Sequence, residues 1–127
     1  MAEANERKAI GRFVWHDVTV ADAPALRDFY ASVVGWKPEP VAMGEYSDYV
    51  MSQSDGTQTA GVCHARGENA NLPPQWILYV TVADLDASMK RCVESGGAVV
   101  SGSRMFGEQR YCVVRDPAGA HIGLVQQ

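Results

Sequence analysis

The pentapeptide Val-Thr-Val-Ala-Asp stands twice in this chain of 127 residues, at Val18–Asp22 and again at Val80–Asp84. Each copy follows a run of aromatic and aliphatic residues and precedes a stretch with helical spacing. Glycine closes that stretch both times, Gly35 in the first half and Gly96-Gly97 in the second. A repeat 62 positions apart (18 to 80), about half the chain length, constrains the fold more than composition can. It implies two copies of one supersecondary unit, neither able to bury its own apolar faces alone. The pairing of those copies is expected to create the functional cleft.

Taken in order, residues 1–11 are polar and read as a flexible N-terminal tail. Phe13–Val20 alternates as a strand, with Val14, His16, Val18 and Val20 on one face and Phe13, Trp15, Asp17 and Thr19 on the other. Asp22 is placed to cap a helix that tolerates Pro24 in its first turn. Leu26, Phe29, Tyr30, Val33 and Val34 follow at helical spacing. Three short strands, Lys37–Ala42, Tyr46–Ser52 and Thr59–His64, complete a β-α-β-β-β unit, and Arg66–Gln75 has the composition of a linker. The second half repeats the order: strand Trp76–Val82, a helix capped by Asp84 with Leu85, Met89, Cys92 and Val93 on one face, then strands Ala98–Gly102, Gln109–Arg115 and Ala120–Val125. The expected fold is α+β, two tandem β-α-β-β-β modules (residues 12–65 and 76–127) in one domain over 12–127, forming a curved mixed sheet around a cavity. Met105-Phe106, between Gly102 and Gly107, reads as an apolar loop tip, serving as a lid, a dimer contact or an ordinary hairpin.

Composition narrows the function. The net charge is −4 without a basic stripe, so the electrostatic footprint of a nucleic-acid binder is missing. Cys63, Cys92 and Cys112 are odd in number and never spaced Cys-x-x-Cys, which argues against a zinc ribbon or disulfide framework and suits a reducing cytoplasm. No run approaches the roughly 18 apolar residues needed to cross a bilayer. With 46% hydrophobic residues the chain can bury a substantial core. The expectation is a soluble, cytoplasmic protein with no nucleic-acid or membrane partner.

The paired units, Phe29-Tyr30 ahead of Gly35-Trp36, and the ending Asp116-Pro117-Ala118-Gly119-Ala120-His121-Ile122-Gly123-Leu124 together resemble the vicinal oxygen chelate superfamily. That superfamily includes glyoxalase I, extradiol dioxygenases and bleomycin-binding resistance proteins. The final Gly123-Leu124-Val125-Gln126 is similar to the last strand of its glyoxalase-like bacterial members. The resemblance implies a U-shaped sheet around a cavity and frequent dimers, without fixing a reaction.

The resemblance also implies four metal-ligand positions, usually His, Glu, His and Glu, on the first and last strand of each unit. Counted from Asp22 and Asp84, and from the last-strand triplets, these positions are Trp15, Gly61, Ile77 and Gly123. None offers an oxygen or imidazole lone pair to a divalent cation. A one-residue slip would gain only His16, whose counterpart is Leu78, and would turn Val18 and Val20 outward. No metal and no other cofactor is therefore expected.

If the alternation holds, the cavity face carries Trp15, Asp17, Thr19, Gly61 and Cys63 from the first module, and Ile77, Tyr79, Thr81, His121 and Gly123 from the second. Two glycines where bulky acids would sit leave room for a ligand. Trp15 and Tyr79 provide flat apolar surface, and Asp17, Thr19, Thr81 and His121 provide hydrogen bonds, the make-up of a small-molecule site. Each has a plainer reading: Trp15 as packed core, the glycines as close packing, Asp17 with His121 as a structural pair rather than an acid–base pair. His16 reads as a helix-facing histidine with a backbone partner, and His64 as exposed. The sequence thus points to a metal-free protein binding a small, partly aromatic or amphipathic molecule, with a homodimer as a further expectation. The alternative is a divalent-metal-dependent lyase, isomerase or dioxygenase of the same superfamily.

Overall fold

The structure, a computed structural model, describes residues 9–127. Eight strands and two helices follow in the order the repeat demands: β1 (Phe13–Val20), α1 (Ala23–Val33), β2 (Lys37–Ala42), β3 (Ser47–Ser52), β4 (Gln58–His64), a 3-10 turn (Gly67–Asn69), β5 (Trp76–Val82), α2 (Leu85–Glu94), β6 (Ala98–Phe106), β7 (Gln109–Arg115) and β8 (His121–Gln126). The chain is α+β, built from two β-α-β-β-β modules. It divides into two compact units, one of Trp15–Trp76 and one of residues 9–14 with Ile77–Gln127.

The first unit orders its strands β2-β3-β4-β1, antiparallel except for β4 with β1. The second orders its strands β5-β8-β7-β6, with β5 and β8 parallel and the rest antiparallel. Register repeats as faithfully as sequence. Asp17 stands opposite Gly61 in the first unit and Tyr79 opposite Gly123 in the second, 62 positions on in each case (17 to 79, 61 to 123).

Both helices start at the aspartate that ends the repeated pentapeptide. Asp22 accepts from the amide of Ala25 and Asp84 from that of Ala87, each at 3.1 Å, satisfying one of the orphan amides of a helix start. Pro24 lies in the first turn of α1, where a missing amide costs nothing. At α2 the Gln126 side chain adds a second acceptor for the Leu85 amide (2.9 Å). The terminal glutamine of β8 is thereby a helix cap rather than a surface residue.

Each helix covers one face of its own strands. Val18, Ala23, Met51, Ala60 and Val62 form the core of the first unit, flanked by Leu26, Tyr30, Trp36, Tyr49 and Trp76. Trp76 Nε1 donates to the Tyr30 hydroxyl (3.0 Å), and the rings of Tyr30, Trp36 and Trp76 meet edge-on or tilted at 5.3–5.9 Å. In the second unit Leu85, Cys112 and Val114 pack with Met89, Cys92, Ile122 and Leu124. Full burial of side chains such as Met51 and Leu85 stabilises each unit by about 1.5–3 kcal/mol apiece.

Three expectations change. Met105-Phe106 takes the ordinary hairpin among its readings: it ends β6, paired with Arg110 and Gln109 across a two-residue turn, Gly107-Glu108. Gly107 has φ +62°, which such a turn requires. The glycine at 102 is no break, because β6 absorbs it in an irregular register between Ser101 and Arg104. The expected tail, residues 1–11, lies outside the described residues except for its last three. These are anchored: Gly11 N donates to Thr81 O (2.8 Å) and Ala9 O accepts from Thr81 Oγ1 (2.9 Å). The stretch 66–75, expected as a plain linker, contains a 3-10 turn at Gly67–Asn69.

Candidate functional site

In the first unit, pleating puts Val18 and Val20 under α1, so Trp15, Asp17 and Thr19 face away from the helix. Pairing of β1 with β4 sets Gly61 beside Asp17, and Cys63 beside Thr19. The structure brings Trp15, Asp17, Gly61 and Cys63 into one patch. A β-carbon added at Gly61 would lie 3.1 Å from Asp17 Cβ and 3.6 Å from both Trp15 Nε1 and Cys63 Sγ. Thr19 is buried. Burial, with the carboxylates of Asp17 and Asp48 adding, pushes the Cys63 thiol well above its ordinary value, so it is a packed group rather than a nucleophile.

Asp48 joins this face without having been picked out in the sequence. Tyr49 and Met51 of β3 pack into the helix-side core, and Val50 stands opposite Gly61, so Asp48 shares the outward face. The signal was present in the alternation Asp48-Tyr49-Val50-Met51. Asp48 is 7% exposed. Its Oδ1 accepts from the backbone amide of His64 (2.9 Å) and from His64 Nδ1 (3.2 Å). His64, expected to be exposed, is therefore half-buried and held by a carboxylate. His16 has the backbone partner expected of it, Nδ1 donating to Thr59 O at 2.9 Å.

In the second unit the corresponding face carries Ile77, Tyr79 and Thr81 from β5 and His121, Gly123 and Val125 from β8. Here the space expected at glycine is taken. A β-carbon at Gly123 would clash with Cδ1, Cε1 and Cγ of Tyr79, which is itself buried and meets Tyr111 edge-on at 6.0 Å. Ile77 is fully buried. Thr81 is spent on the segment before β1, its hydroxyl accepting from Arg12 N (3.1 Å) while donating to Ala9 O. His121 Nδ1 is buried and has no hydrogen-bond partner among the described residues. Asp17 and His121, the sequence's candidate acid–base pair, belong to different units.

The metal positions can be tested against these neighbours. Trp15 and Ile77 bring no donor atom, and the two glycines are crowded from the side by Asp17 and by Tyr79. No group of three or more His, Cys, Asp or Glu side chains suited to a metal occurs among the described residues. The residues present do not fit the superfamily's ion. None of the described helices is long and apolar enough to cross a membrane.

Residues 14–125 match the family model of the glyoxalase-like domain. The chain belongs to that family. Among relatives, this glyoxalase-like chain is 33% identical over 118 residues to CFP32 of Mycobacterium tuberculosis, provisionally named a glyoxylase, covering 88% of the chain and 44% of CFP32. It is 30% identical over 120 residues to the anthracycline biosynthesis protein DnrV of Streptomyces peucetius, covering 91% and 42%. The glyoxalase-like chain thus spans less than half the length of either relative. Its fold is shared with Streptomyces coelicolor methylmalonyl-CoA epimerase in complex with 2-nitronate-propionyl-CoA (TM-score 0.59, 17% identity, 94% of this chain and 99% of that one). It is shared equally with a glyoxalase/bleomycin resistance protein/dioxygenase superfamily member from Vibrio splendidus (TM-score 0.58, 16% identity, 91% and 100%). Identities this low speak for the fold alone.

Proposed function

We propose that this glyoxalase-like protein works without a metal and binds a small, partly aromatic or amphipathic molecule. One observation carries the reading: the four positions where the superfamily places its chelating side chains hold Trp15, Gly61, Ile77 and Gly123, none of which can ligate an ion. A fold that has replaced an ion ligand by Trp15 offers stacking surface there in exchange for Lewis acidity. Asp17, beside Gly61 on the face that carries Trp15, is its polar residue in the first unit. The named role of DnrV in anthracycline biosynthesis is compatible with an aromatic ligand for this chain.

A second reading has its own support in the epimerase fold and in His121. A metal-independent isomerase would use His121 as a proton carrier, histidine being suited to that task near neutral pH. Thermal-shift screening of aromatic and amphipathic compounds tests the first reading, because a ligand that binds only the native state raises its melting temperature. Stabilisation by such a compound, lost in Trp15→Ala, is the expected result. Stoichiometric zinc, nickel, manganese or iron in gently purified protein, with a fall in melting temperature on chelation, would overturn it.

A further inference from the structure

A histidine whose one ring nitrogen is engaged by a buried carboxylate presents the other as a fixed lone pair. His64, at the C-terminal end of β4, has this arrangement. Asp48 is 7% exposed and its Oδ1 takes two hydrogen bonds from the same residue, the His64 amide at 2.9 Å and Nδ1 at 3.2 Å. A carboxylate only accepts, so the Nδ1 contact places a proton on Nδ1, and in the neutral ring Nε2 is then the acceptor. No hydrogen bond from the described residues engages Nε2. The imidazole is flanked by two aromatic rings, Tyr46 edge-on at 5.2 Å and Tyr49 tilted at 6.3 Å. The Arg66 guanidinium stacks on Tyr46 at 4.2 Å from the ring centre.

These parts serve different ends of one reaction. The backbone and side-chain bonds to Asp48 fix the ring's orientation, the Tyr46 ring lies against it, and the exposed Arg66 guanidinium stacked on that ring stands by to meet negative charge. We propose that Nε2 of His64, oriented by Asp48, accepts a proton from an aromatic or enolic hydroxyl group bound against Tyr46. The ligand's O–H bond breaks and the Nε2–H bond forms. The imidazolium stays paired with the Asp48 carboxylate, and the oxyanion is left next to Arg66. His64 is then the catalytic residue and Asp48 the positioning residue. Asp48 shares the outward face of the first unit with Gly61, but His64 is none of the four metal-replaced positions, so either reading can stand without the other.

The probe is 4-nitrophenol, whose phenolate absorbs where the phenol does not, added to the full chain at a pH below the probe's own ionisation. Phenolate absorbance is expected to rise with protein concentration and to saturate. His64→Asn keeps a side-chain N–H in place of Nδ1 and removes the basic nitrogen, so it should retain the fold by circular dichroism and abolish the rise. Asp48→Asn should weaken it at least about tenfold, an energy of about 1.4 kcal/mol, and nitrogen-detected NMR should show His64 losing its Nδ1-protonated tautomer. A saturable rise that survives His64→Asn, or no rise in the wild-type chain, overturns the proposal. An unchanged rise in Asp48→Asn overturns the role of Asp48. Should His64→Asn fail to fold, carbethoxylation of the wild type decides: His64 must be modified at Nε2 and its modification slowed by the probe.

Discussion

Replacing Gly123 by alanine asks whether the second unit has closed the position where its relatives carry a ligand side chain. The backbone at 123 permits the change, because this glycine is not among those with positive φ. The obstacle is steric: the new β-carbon would fall among Cδ1, Cε1 and Cγ of Tyr79. That ring is 5% exposed and rests on Tyr111, so it has no open side to swing into. Overpacking of a close-packed face costs roughly 1–3 kcal/mol, and a methyl forced against a buried ring belongs at the upper end, about 2–3 kcal/mol. For a chain of this size that is a drop in melting temperature of about 8–12 °C, at about 4 °C per kcal/mol.

Gly61 is the control, since it occupies the same place in the first unit. Its new β-carbon would meet only Asp17 Cβ closely, at 3.1 Å, and a shift of a few tenths of an ångström relieves that. Gly61→Ala should cost less than about 1 kcal/mol. Urea unfolding of both variants, read by circular dichroism at constant slope, gives the comparison. Tyr79→Ala removes the ring, and in that background Gly123→Ala should be neutral or slightly stabilising, as alanine is over glycine in a strand by about 0.5–1 kcal/mol. The double-mutant cycle should therefore show a coupling of at least about 1.5 kcal/mol. Equal losses at 61 and 123, or a loss at 123 that persists without Tyr79, would refute the closed-position argument.

Three further outcomes follow from single contacts. Asp22→Ala and Asp84→Ala should each destabilise by about 1 kcal/mol, because each removes a cap of 3.1 Å; Gln126, which also caps α2, should make the Asp84 loss the smaller in chemical denaturation. Native Cys63 and Cys112 should resist a thiol-specific disulfide reagent at neutral pH and react on adding denaturant, since burial raises both thiols, that of Cys112 to about 11. Asp86 is held below the usual carboxylate range by its hydrogen bond to Arg110, so its contribution to stability is present above the unfolded-state value and is lost as pH falls through the lower folded value. Asp86→Asn should accordingly flatten the acid limb of the melting-temperature profile; an unchanged limb counts against that pair.

The duplicated pentapeptide determined a great deal. Strand, aspartate cap and helix recur at a fixed offset, and local chemistry is enough to place them: alternation of period two before Asp22 and Asp84, helical spacing after. The same offset located the four ligand positions that the superfamily resemblance implies, since chain distance from a cap translates directly into distance along a strand. Other features depended on residues far apart in sequence. Gly102 looks like a stop and is a bulge, because only the partner strand β7 decides whether pairing resumes. His64 looks like a strand-end histidine open to water, until β3 folds Asp48 against it from 16 residues earlier.

What the chain's letters settled is the unit and its repetition, because capping, alternation and turn chemistry act between near neighbours. What only the folded protein decided is whether a glycine means space. At 61 and 123 the sequence removes a side chain, and the tertiary structure alone reveals that Asp17 and the ring of Tyr79 stand in its place. Close packing is a property of atoms brought together from separate strands, and no reading of one strand contains it.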